Sequence, residues 1–469
     1  MNGIRVLLQN YENHDTFEPQ PLSMNVHFIA IGGSAMHNLA IALHQKGYKV
    51  TGSDDEIFEP SRTRLAKPGL LPPVEGWDPA RIHPGLDAVI LGMHAKKDNP
   101  ELIRATELGL KIFSYPEFLY DQSKDKKRIV IGGSHGKTTI TAMILHVLKE
   151  NGIDCDFMVG AQLEGFDVMV KLTEEAPYMI FEGDEYLTSP IDPRPKFHLY
   201  KPDIALVSGI AWDHINVFPT FDIYVEQFTE FIRQITPGGT LIFCEEDPVL
   251  KSIALDTRDD IEILPYGLPE FAVDNGITQV VQNGVSYPLQ IFGRHNLMNL
   301  EGARLVCNRL GITNERFMHA VTGFKGASKR LERISGNKEV AVYKDFAHAP
   351  SKVLATIRAV KEQYPEKRLV ACLELHTYSS LSEGFLSHYA GSMDQADAAV
   401  VYFNPHALKL KRLPDITPDQ IRKGFARADL EVYNDSSLLL ERLKNENRKE
   451  LVFLMMSSGN FDGMDLASL

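Results

Sequence analysis

The chain has 469 residues, 44% of them hydrophobic, and a formal net charge of −13 at pH 7. That length predicts roughly two to four domains, and the ordinary apolar content suffices for several packed cores. The acidic balance argues against a nucleic-acid or anionic-membrane surface, so any phosphorylated ligand must be met by local positive sites.

Residues 1–23 contain no apolar signal core, and no apolar run in the chain approaches membrane-spanning length, so no membrane insertion is expected. The leader reads as a loose extension, with Met24 as a natural start. Cys155, Cys244, Cys307 and Cys372 lie far apart, lack metal-ligand spacing and read as reduced, buried thiols of a cytoplasmic protein. Strands alternate with helices throughout, which predicts parallel sheets built from βαβ units. Residues 26–31 read as a strand, Gly32-Gly33-Ser34 as a turn, and Met36, Leu39, Ala40 and Leu43 as a helix face. A second strand ends near Ser53 and Asp54. The turn is a G-x-G-x-x-G pattern with alanine at both ends, Ala30 and Ala35, and Asp54 stands where a ribose-binding acid would. Taken alone, this turn suits NAD. Residues 121–127 form a polar linker, and the first domain boundary is expected there.

Residues 128–131 then read as a strand running into Gly133-Ser134-His135-Gly136-Lys137-Thr138-Thr139. A helix follows, with Ile140, Met143, Ile144, Val147 and Leu148 at helical spacing. Strand, glycine turn and helix N-terminus form a nest of backbone N–H groups that suits polyphosphate. Lys137 reaches the terminal phosphates, and the Thr138 hydroxyl suits Mg²⁺. The loop is shorter than the general Walker form, since Ile131 occupies the place of its first glycine. A second nucleotide-type turn in one chain fits two phosphorylated ligands better than a redox cofactor.

Glu182-Gly183-Asp184-Glu185 follows a strand over 178–181, and Asp213-His214 follows one over 204–208. Carboxylates at the C-terminal ends of parallel strands beside a phosphate loop are where Mg²⁺ ligands belong. Further on come Gly293-Arg294-His295-Asn296 with Asn299, then Lys329-Arg330-Leu331-Glu332 in a basic segment, residues 323–333, that reads as a hinge. Asp345-Phe346-Ala347-His348 follows a strand in a third series over 340–343, 369–373, 398–403 and 451–456.

In this order these elements resemble the Mur ligases, the ATP-dependent peptide ligases of bacterial cell-wall synthesis, over essentially everything after Met24. The family's ATP loop matches Gly133 to Thr139, and its Glu-Ala-Asp-Glu segment matches Glu182 to Glu185. Its Asp-His matches Asp213-His214, its Gly-x-His-Asn-x-x-Asn matches Gly293 to Asn299, and its Asp-Tyr-Ala-His matches Asp345 to His348. The resemblance implies an α/β protein of three domains. These are an N-terminal Rossmann-like UDP-binding domain at 24–122, a central P-loop ATPase domain at 123–330, and a C-terminal Rossmann-like domain at 331–469 that closes over it. It implies UDP-N-acetylmuramate at Gly32, Gly33, Ser34 and Asp54. It implies ATP at Gly133, Ser134, His135, Gly136, Lys137, Thr138, Thr139, Asn296, Asn299, Arg330, Asp345 and His348. Mg²⁺ falls to Thr138, Glu182 and His214, and catalysis to Lys137, Glu182 and His214.

Several family members carry a carbamoylated lysine fifteen residues beyond the Asp of Asp-His, and Phe228 stands there in this chain. Phenylalanine marks the two branches that act on UDP-N-acetylmuramate itself, one adding L-alanine and the other the murein tripeptide L-alanyl-γ-D-glutamyl-meso-diaminopimelate. Asp192-Pro-Arg194-Pro-Lys196-Phe197, Leu373-Glu374-Leu-His376 and Ser457-Ser-Gly459-Asn-Phe461-Asp-Gly463 resemble the tripeptide branch, which implies peptide contacts at Arg194, Lys196, His376 and Ser457. The chain departs from the family at Gly209 for Asn, Lys344 for Asp, Phe346 for Tyr, Ala349 for His, Ser134 for Thr and His376 for Arg. The rival readings are the alanine branch and a catalytically silent nucleotide-binding regulator. A monomer or weak homo-oligomer is expected.

Overall fold

The structure, a computed structural model, describes residues 23–161, 163, 165, 166, 168–212, 217–256, 258–274, 276–327 and 330–469. His214 and Lys329, singled out in the sequence, lie outside the described residues. The chain divides into two compact units, Met1–Phe113 and Ser114–Leu469.

The first unit is built on a four-stranded sheet, β1 (Asn25–Ile29), β2 (Lys49–Ser53), β3 (Ala88–Leu91) and β4 (Ile112–Ser114), in the order β2-β1-β3-β4. β1 runs parallel to both β2 and β3. Val26 and Phe28 on β1, with Met36, Leu39, Ala40 and Leu43 on the Ser34–Gln45 helix, are buried as their helical and strand periodicity requires. β1 stops two residues short of the expected end because Ala30 already turns the chain at φ +69°. The end of β2 is pinned by a buried polar knot, in which Glu101 accepts hydrogen bonds from the Ser53 hydroxyl and from Asp78 N (2.8 Å) and faces His27 Nε2 at 3.3 Å.

The second unit holds a seven-stranded sheet of β5 (Lys127–Gly132), β6 (Asp156–Met158), β7 (Val170–Lys171), β8 (Tyr178–Glu182), β9 (Ile204–Val207), β10 (Thr240–Cys244) and β11 (Glu262–Tyr266). Their order, β11-β10-β9-β5-β8-β6-β7, puts β5 in the middle. After β5 the chain places β6, β7 and β8 on one side and then β9, β10 and β11 on the other, so the C-terminal end of β5 is a topological switch point, where open α/β sheets form their ligand crevices. Parallel register sets Ile131 opposite Glu182 and Gly132 opposite Val207, bringing the ends of β8 and β9 to the glycine loop. Ile129, Val130 and Ile131, with Ile140, Met143, Ile144, Val147 and Leu148 of the Lys137–Glu150 helix, are fully buried. Each such side chain contributes about 1.5–3 kcal/mol to the core that fixes this loop.

The expectation of parallel sheets is corrected at β7, which runs antiparallel to β6, and again at residues 271–288. There β12 (Phe271–Asp274), β13 (Ile277–Gln282) and β14 (Val285–Pro288) form an antiparallel three-stranded sheet. β13 and β14 meet at Asn283-Gly284, both at positive φ (51° and 78°), the backbone that a tight two-residue hairpin needs.

A six-stranded sheet follows, with β15 (Glu332–Gly336), β16 (Val340–Asp345), β17 (Arg368–Leu375), β18 (Ala398–Phe403), β19 (Glu431–Tyr433) and β20 (Leu451–Met456) in the order β15-β16-β20-β17-β18-β19. Only β15 is antiparallel to its neighbour. One face packs Leu369, Ala371, Leu373 and Leu375 together with Val353, Ile357 and Val360 of the Pro350–Gln363 helix. The same core takes in Phe292, whose ring meets Tyr343 at 5.4 Å and Tyr364 at 6.2 Å, both edge-on. The opposite face packs Val370 and Cys372 against Leu439, Leu443 and Phe461. All four cysteines are buried and free. Among the described residues no helix is long and apolar enough to cross a membrane.

Candidate active site

The glycine loop carries its two positive-φ residues where the neighbours leave no room for a side chain. Gly133 (φ +122°) lies so close to Ser208 that a Cβ would stand 2.1 Å from its hydroxyl. A Cβ on Gly136 (φ +78°) would stand 2.3 Å from Asn299 Oδ1. Gly136 is the N-cap of the Lys137–Glu150 helix, so the open N–H groups of its first turn face the cleft above β5.

Lys137 Nζ donates to Gly133 O (2.6 Å) and to Glu185 Oε2 (2.7 Å). Burial pushes its ammonium down, but Glu185, Asp184 and Glu182 outweigh that, so it is held charged above its ordinary value. The Thr138 hydroxyl donates to Glu182 Oε1 at 2.6 Å, and Glu182 Oε2 accepts from Gly160 N at 2.8 Å. Ser134 Oγ shares a 2.9 Å hydrogen bond with Tyr224 Oη, which also donates to Glu185 Oε1 at 3.2 Å. Ala211 N closes this network by donating to Ser134 Oγ.

The opposite wall comes from the ends of the Arg294–Arg309 helix and of β16. Asn296 donates to Phe292 O at 2.9 Å, while Asn299 stands over Gly136. Burial alone pushes His295 down to about 4, leaving a neutral imidazole at pH 7. Asp345 accepts from Leu331 N and Ala347 N, both at 2.7 Å. Burial pushes its carboxyl up, against the pull of Arg330 and those two N–H groups. Arg330 lies 4.5 Å above the Phe346 ring, so phenylalanine in place of the family tyrosine serves as a cation–π face. His135 Nε2 hydrogen-bonds with Ser351 Oγ at 3.0 Å, linking the loop to the start of the Pro350–Gln363 helix.

Together these residues line a half-open cleft of about 250 Å³. Of the residues anticipated from the sequence, it gathers Ser134, His135, Gly136, Lys137, Thr138, Thr139, Glu182, Asn296, Asn299, Arg330 and Asp345. His348 does not line it, because its ring turns back onto Phe346 O at 2.8 Å. Glu185, Tyr224, Ser351, Lys352 and Thr356 join the site without a role expected from the sequence. Glu185 belongs to the acidic segment that ends β8, whereas Tyr224 and Ser351 carry no local signal and reach the loop only through tertiary packing.

Arg194 and Lys196 sit outside the cleft on a hairpin-like loop that returns from Tyr186, with Lys196 N bonded to Tyr186 O at 3.0 Å. Lys196 pairs with Asp184 at 2.5 Å, and Arg194 with Asp192 at 2.6 Å. His376 and Ser457 meet around Glu374 at the ends of β17 and β20, also outside the cleft. In the first unit, Gly32 N donates to Asp54 Oδ2 at 2.7 Å. Asp54 is pushed up to about 6, chiefly by burial.

Mg²⁺ is a hard ion that keeps its waters and takes one or two protein oxygens together with substrate phosphates. The adjacent Thr138 hydroxyl and Glu182 carboxylate, beside Lys137, fit that pattern. Among the described residues no group of three His, Cys, Asp or Glu side chains converges into a preformed metal cage.

Residues 25–127 match the Mur ligase family catalytic domain, residues 131–307 the Mur ligase middle domain, and residues 329–459 the Mur ligase glutamate ligase domain. The chain therefore belongs to the Mur ligase family, whose members are ATP- and Mg²⁺-dependent, ADP-forming amide ligases of peptidoglycan synthesis and recycling, and it is such an acid–amino-acid ligase. It is 29% identical, over 94% of its length and 97% of the relative's, to the UDP-N-acetylmuramate–L-alanyl-γ-D-glutamyl-meso-2,6-diaminoheptandioate ligase of Haemophilus influenzae. It is 30% identical, over 84% of its length and 86% of the relative's, to the UDP-N-acetylmuramate–L-alanine ligase of Caldicellulosiruptor bescii. The murein peptide ligase of Psychrobacter arcticus shares the fold, with a TM-score of 0.64 and 22% identity covering 95% of this chain and 99% of that one.

Proposed function

We propose that this ligase joins the lactyl carboxylate of UDP-N-acetylmuramate to the α-amine of L-alanyl-γ-D-glutamyl-meso-diaminopimelate in the cytoplasm. The reading is carried by near end-to-end similarity to a relative named for that substrate. The Asp192–Lys196 segment, with Arg194 and Lys196 on one short loop, supports it.

The lactyl carboxylate attacks the γ-phosphorus of ATP, forming an acyl phosphate and releasing ADP. The amine then attacks the acyl carbon, the C–O bond to the phosphoryl group breaks, inorganic phosphate leaves with that bond's electron pair, and the proton of the amine is released to solvent. Lys137 and the N–H groups after Gly136 hold the phosphoryl oxygens as charge shifts between them. Thr138 and Glu182 would hold Mg²⁺, which supplies charge neutralisation at the phosphates. Arg330 and Asp345 close the far wall, and the His135–Ser351 contact keeps that wall against the loop, which limits water at the acyl phosphate. Gly32, Gly33 and Ser34 of the first unit would take the UDP diphosphate, with Asp54 at the first N–H of that turn.

A second reading, transfer to free L-alanine, is favoured by the 30% identity to an L-alanine ligase. Phosphate release with UDP-N-acetylmuramate and each amine separates the two. Turnover of the tripeptide well above that of L-alanine is expected. Efficient use of L-alanine alone would overturn the tripeptide reading, and no amine-dependent release at all would favour a silent regulator.

A further inference from the structure

The first unit contains a half-open pocket of about 550 Å³, larger than the nucleotide cleft and within the span of small-molecule sites. β2 is the edge strand of its sheet. The chain that leaves the Ser61–Ala66 helix returns beside that edge, and Gly76 N donates to Asp54 O at 2.7 Å just past the end of β2. Leu70 and Leu71 of this returning chain, Val50 of β2 and Leu86 make the apolar part of the pocket. Asn25 and Lys49, the first residues of β1 and β2, also line it, whereas Gly32 follows the other end of β1. The five residues of β1, at about 3.3 Å each, separate the pocket from the turn expected to hold UDP.

The lining is cationic in a chain whose net charge is −13. Lys49 and Arg81 contribute to it and no Asp or Glu does. Arg81 ends the short helical turn Pro79–Arg81, which is fixed from behind. The Asp78 side chain accepts from Ala80 N at 2.9 Å, and Asp78 N donates to the buried Glu101 at 2.8 Å. Arg81 Nη2 donates to Val74 O at 3.0 Å, so the guanidinium is anchored at one nitrogen. Its Nη1 is buried and has no hydrogen-bond partner among the described residues. A buried donor in that condition costs free energy until an acceptor meets it. Gly85 N donates to His83 Nδ1 at 3.2 Å, which leaves the ring its N–H on Nε2 as a further donor. His27 also lines the pocket, but its ring is committed to Thr51 Oγ1 at 2.9 Å and to Glu101 at 3.3 Å. The pocket is therefore equipped for binding and not for a second reaction.

The donors select the kind of ligand. One anchored guanidinium fork matches the two oxygens of a carboxylate. None of the lining residues begins a helix, so the N-terminal N–H groups that would meet a polyphosphate, as after Gly136, have no counterpart here.

We propose that this pocket is a second ligand site, which takes a small amphipathic carboxylate. The carboxylate accepts from Arg81, with Lys49 and His83 beside it, and the apolar body lies on Leu70, Leu71 and Leu86. The site is independent of the ligase reading above and stands whichever amine that reaction uses.

Calorimetric titration of the full-length protein tests it. Octanoate and N-acetyl-L-leucine present the same chemistry, one as a plain acyl chain and the other as an acylated amino acid. At least one of them is expected to bind once per chain, and the stronger of the two identifies the source. Its uncharged counterpart, octan-1-ol or N-acetyl-L-leucinamide, binds at least about tenfold more weakly, the scale of a hydrogen bond to a charged group. Saturating UDP-N-acetylmuramate leaves the affinity unchanged. Arg81→Gln lowers it about tenfold. Lys49→Gln and Leu71→Asp alter side chains that make no hydrogen bond in the fold, and both weaken binding as well, so the test stands even if Arg81→Gln lowers stability. The proposal is overturned if neither carboxylate binds, if the uncharged counterpart binds as tightly, if UDP-N-acetylmuramate displaces the carboxylate, or if Lys49→Gln and Leu71→Asp keep wild-type affinity.

Discussion

Glu185→Gln tests whether Lys137 is a phosphate-binding group kept charged by a surrogate anion. Lys137 Nζ and Glu185 Oε2 are 2.7 Å apart, and the carboxylate is almost wholly buried. A glutamine in that place keeps the hydrogen bonds, since its carbonyl accepts from Lys137 and its amide donates to Tyr224 Oη. Only the charge is lost. At 2.7 Å and an effective dielectric constant near 20 the direct attraction is about 6 kcal/mol. Most of that is offset, because a neutral amide no longer has to be desolvated as an ion and because Asp184 and Glu182 still face the ammonium. A net destabilisation of about 2 kcal/mol remains, equivalent to a fall of about 2–3 °C in the melting midpoint of the ligand-free protein. Nucleotide phosphates supply the missing negative charge, so Mg-ATP stabilises the variant more than wild type, with binding up to about thirtyfold tighter. Thermal melts across a Mg-ATP titration, with calorimetric affinities, measure both effects. An unchanged ligand-free midpoint, or weaker ATP binding by the variant, would refute the reasoning.

Gly136→Ala places a methyl group 2.3 Å from Asn299 Oδ1 on a residue at φ +78°. The left-handed backbone alone costs about 1–2 kcal/mol, so ATP affinity falls more than tenfold while the far-ultraviolet dichroism is kept; wild-type affinity would contradict the loop geometry. Thr138→Val removes the hydroxyl that lies 2.6 Å from Glu182. The Mg²⁺ concentration for half-maximal phosphate release is expected to rise about tenfold, with UDP-N-acetylmuramate binding unaltered, and an unshifted Mg²⁺ titration counts against the proposed metal position. His295 is held down at about 4 by burial, so between that value and its ordinary 6.5 the unfolded chain binds a proton that the folded chain does not. Stability therefore falls as pH drops through this window, by at most about 3 kcal/mol. Urea midpoints at pH 7 and 4.5 should converge in His295→Gln relative to wild type; identical pH slopes in the two proteins would refute the assignment.

Legibility in the sequence followed how local the determinants are. The glycine loop, its strand and its helix occupy one continuous stretch, and apolar spacing alone identified Ile140, Met143, Ile144, Val147 and Leu148 as the buried face. Glu182 was legible because it ends a strand, and parallel register then sets it beside Ile131. The antiparallel sheet at 271–288 has a strong local hairpin signal in Asn283-Gly284, which the surrounding alternation of strands and helices masks. Tyr224, Ser351 and Glu374 act through partners far away in the chain, and no spacing rule connects them. Glu374 stands in the Leu373-Glu374-Leu-His376 segment that resembles the tripeptide branch, but only the fold shows that its carboxylate accepts from Ser457 and faces His376.

Phe292 belongs by sequence to the segment that leads into the Arg294–Arg309 helix, but its ring is lodged among Tyr343, Tyr364 and the core of the six-stranded sheet. Its carbonyl meanwhile anchors Asn296 at the nucleotide cleft. Recombining this ligase with another at the 330 junction would therefore sever a shared core, at a cost of about 3–5 kcal/mol if the aromatic socket were lost. Chimeras that carry Phe292 with its tyrosines should stay folded where cuts at the linker fail. Interlocked in this way, the six-stranded sheet is not a free cassette that can be exchanged at the linker.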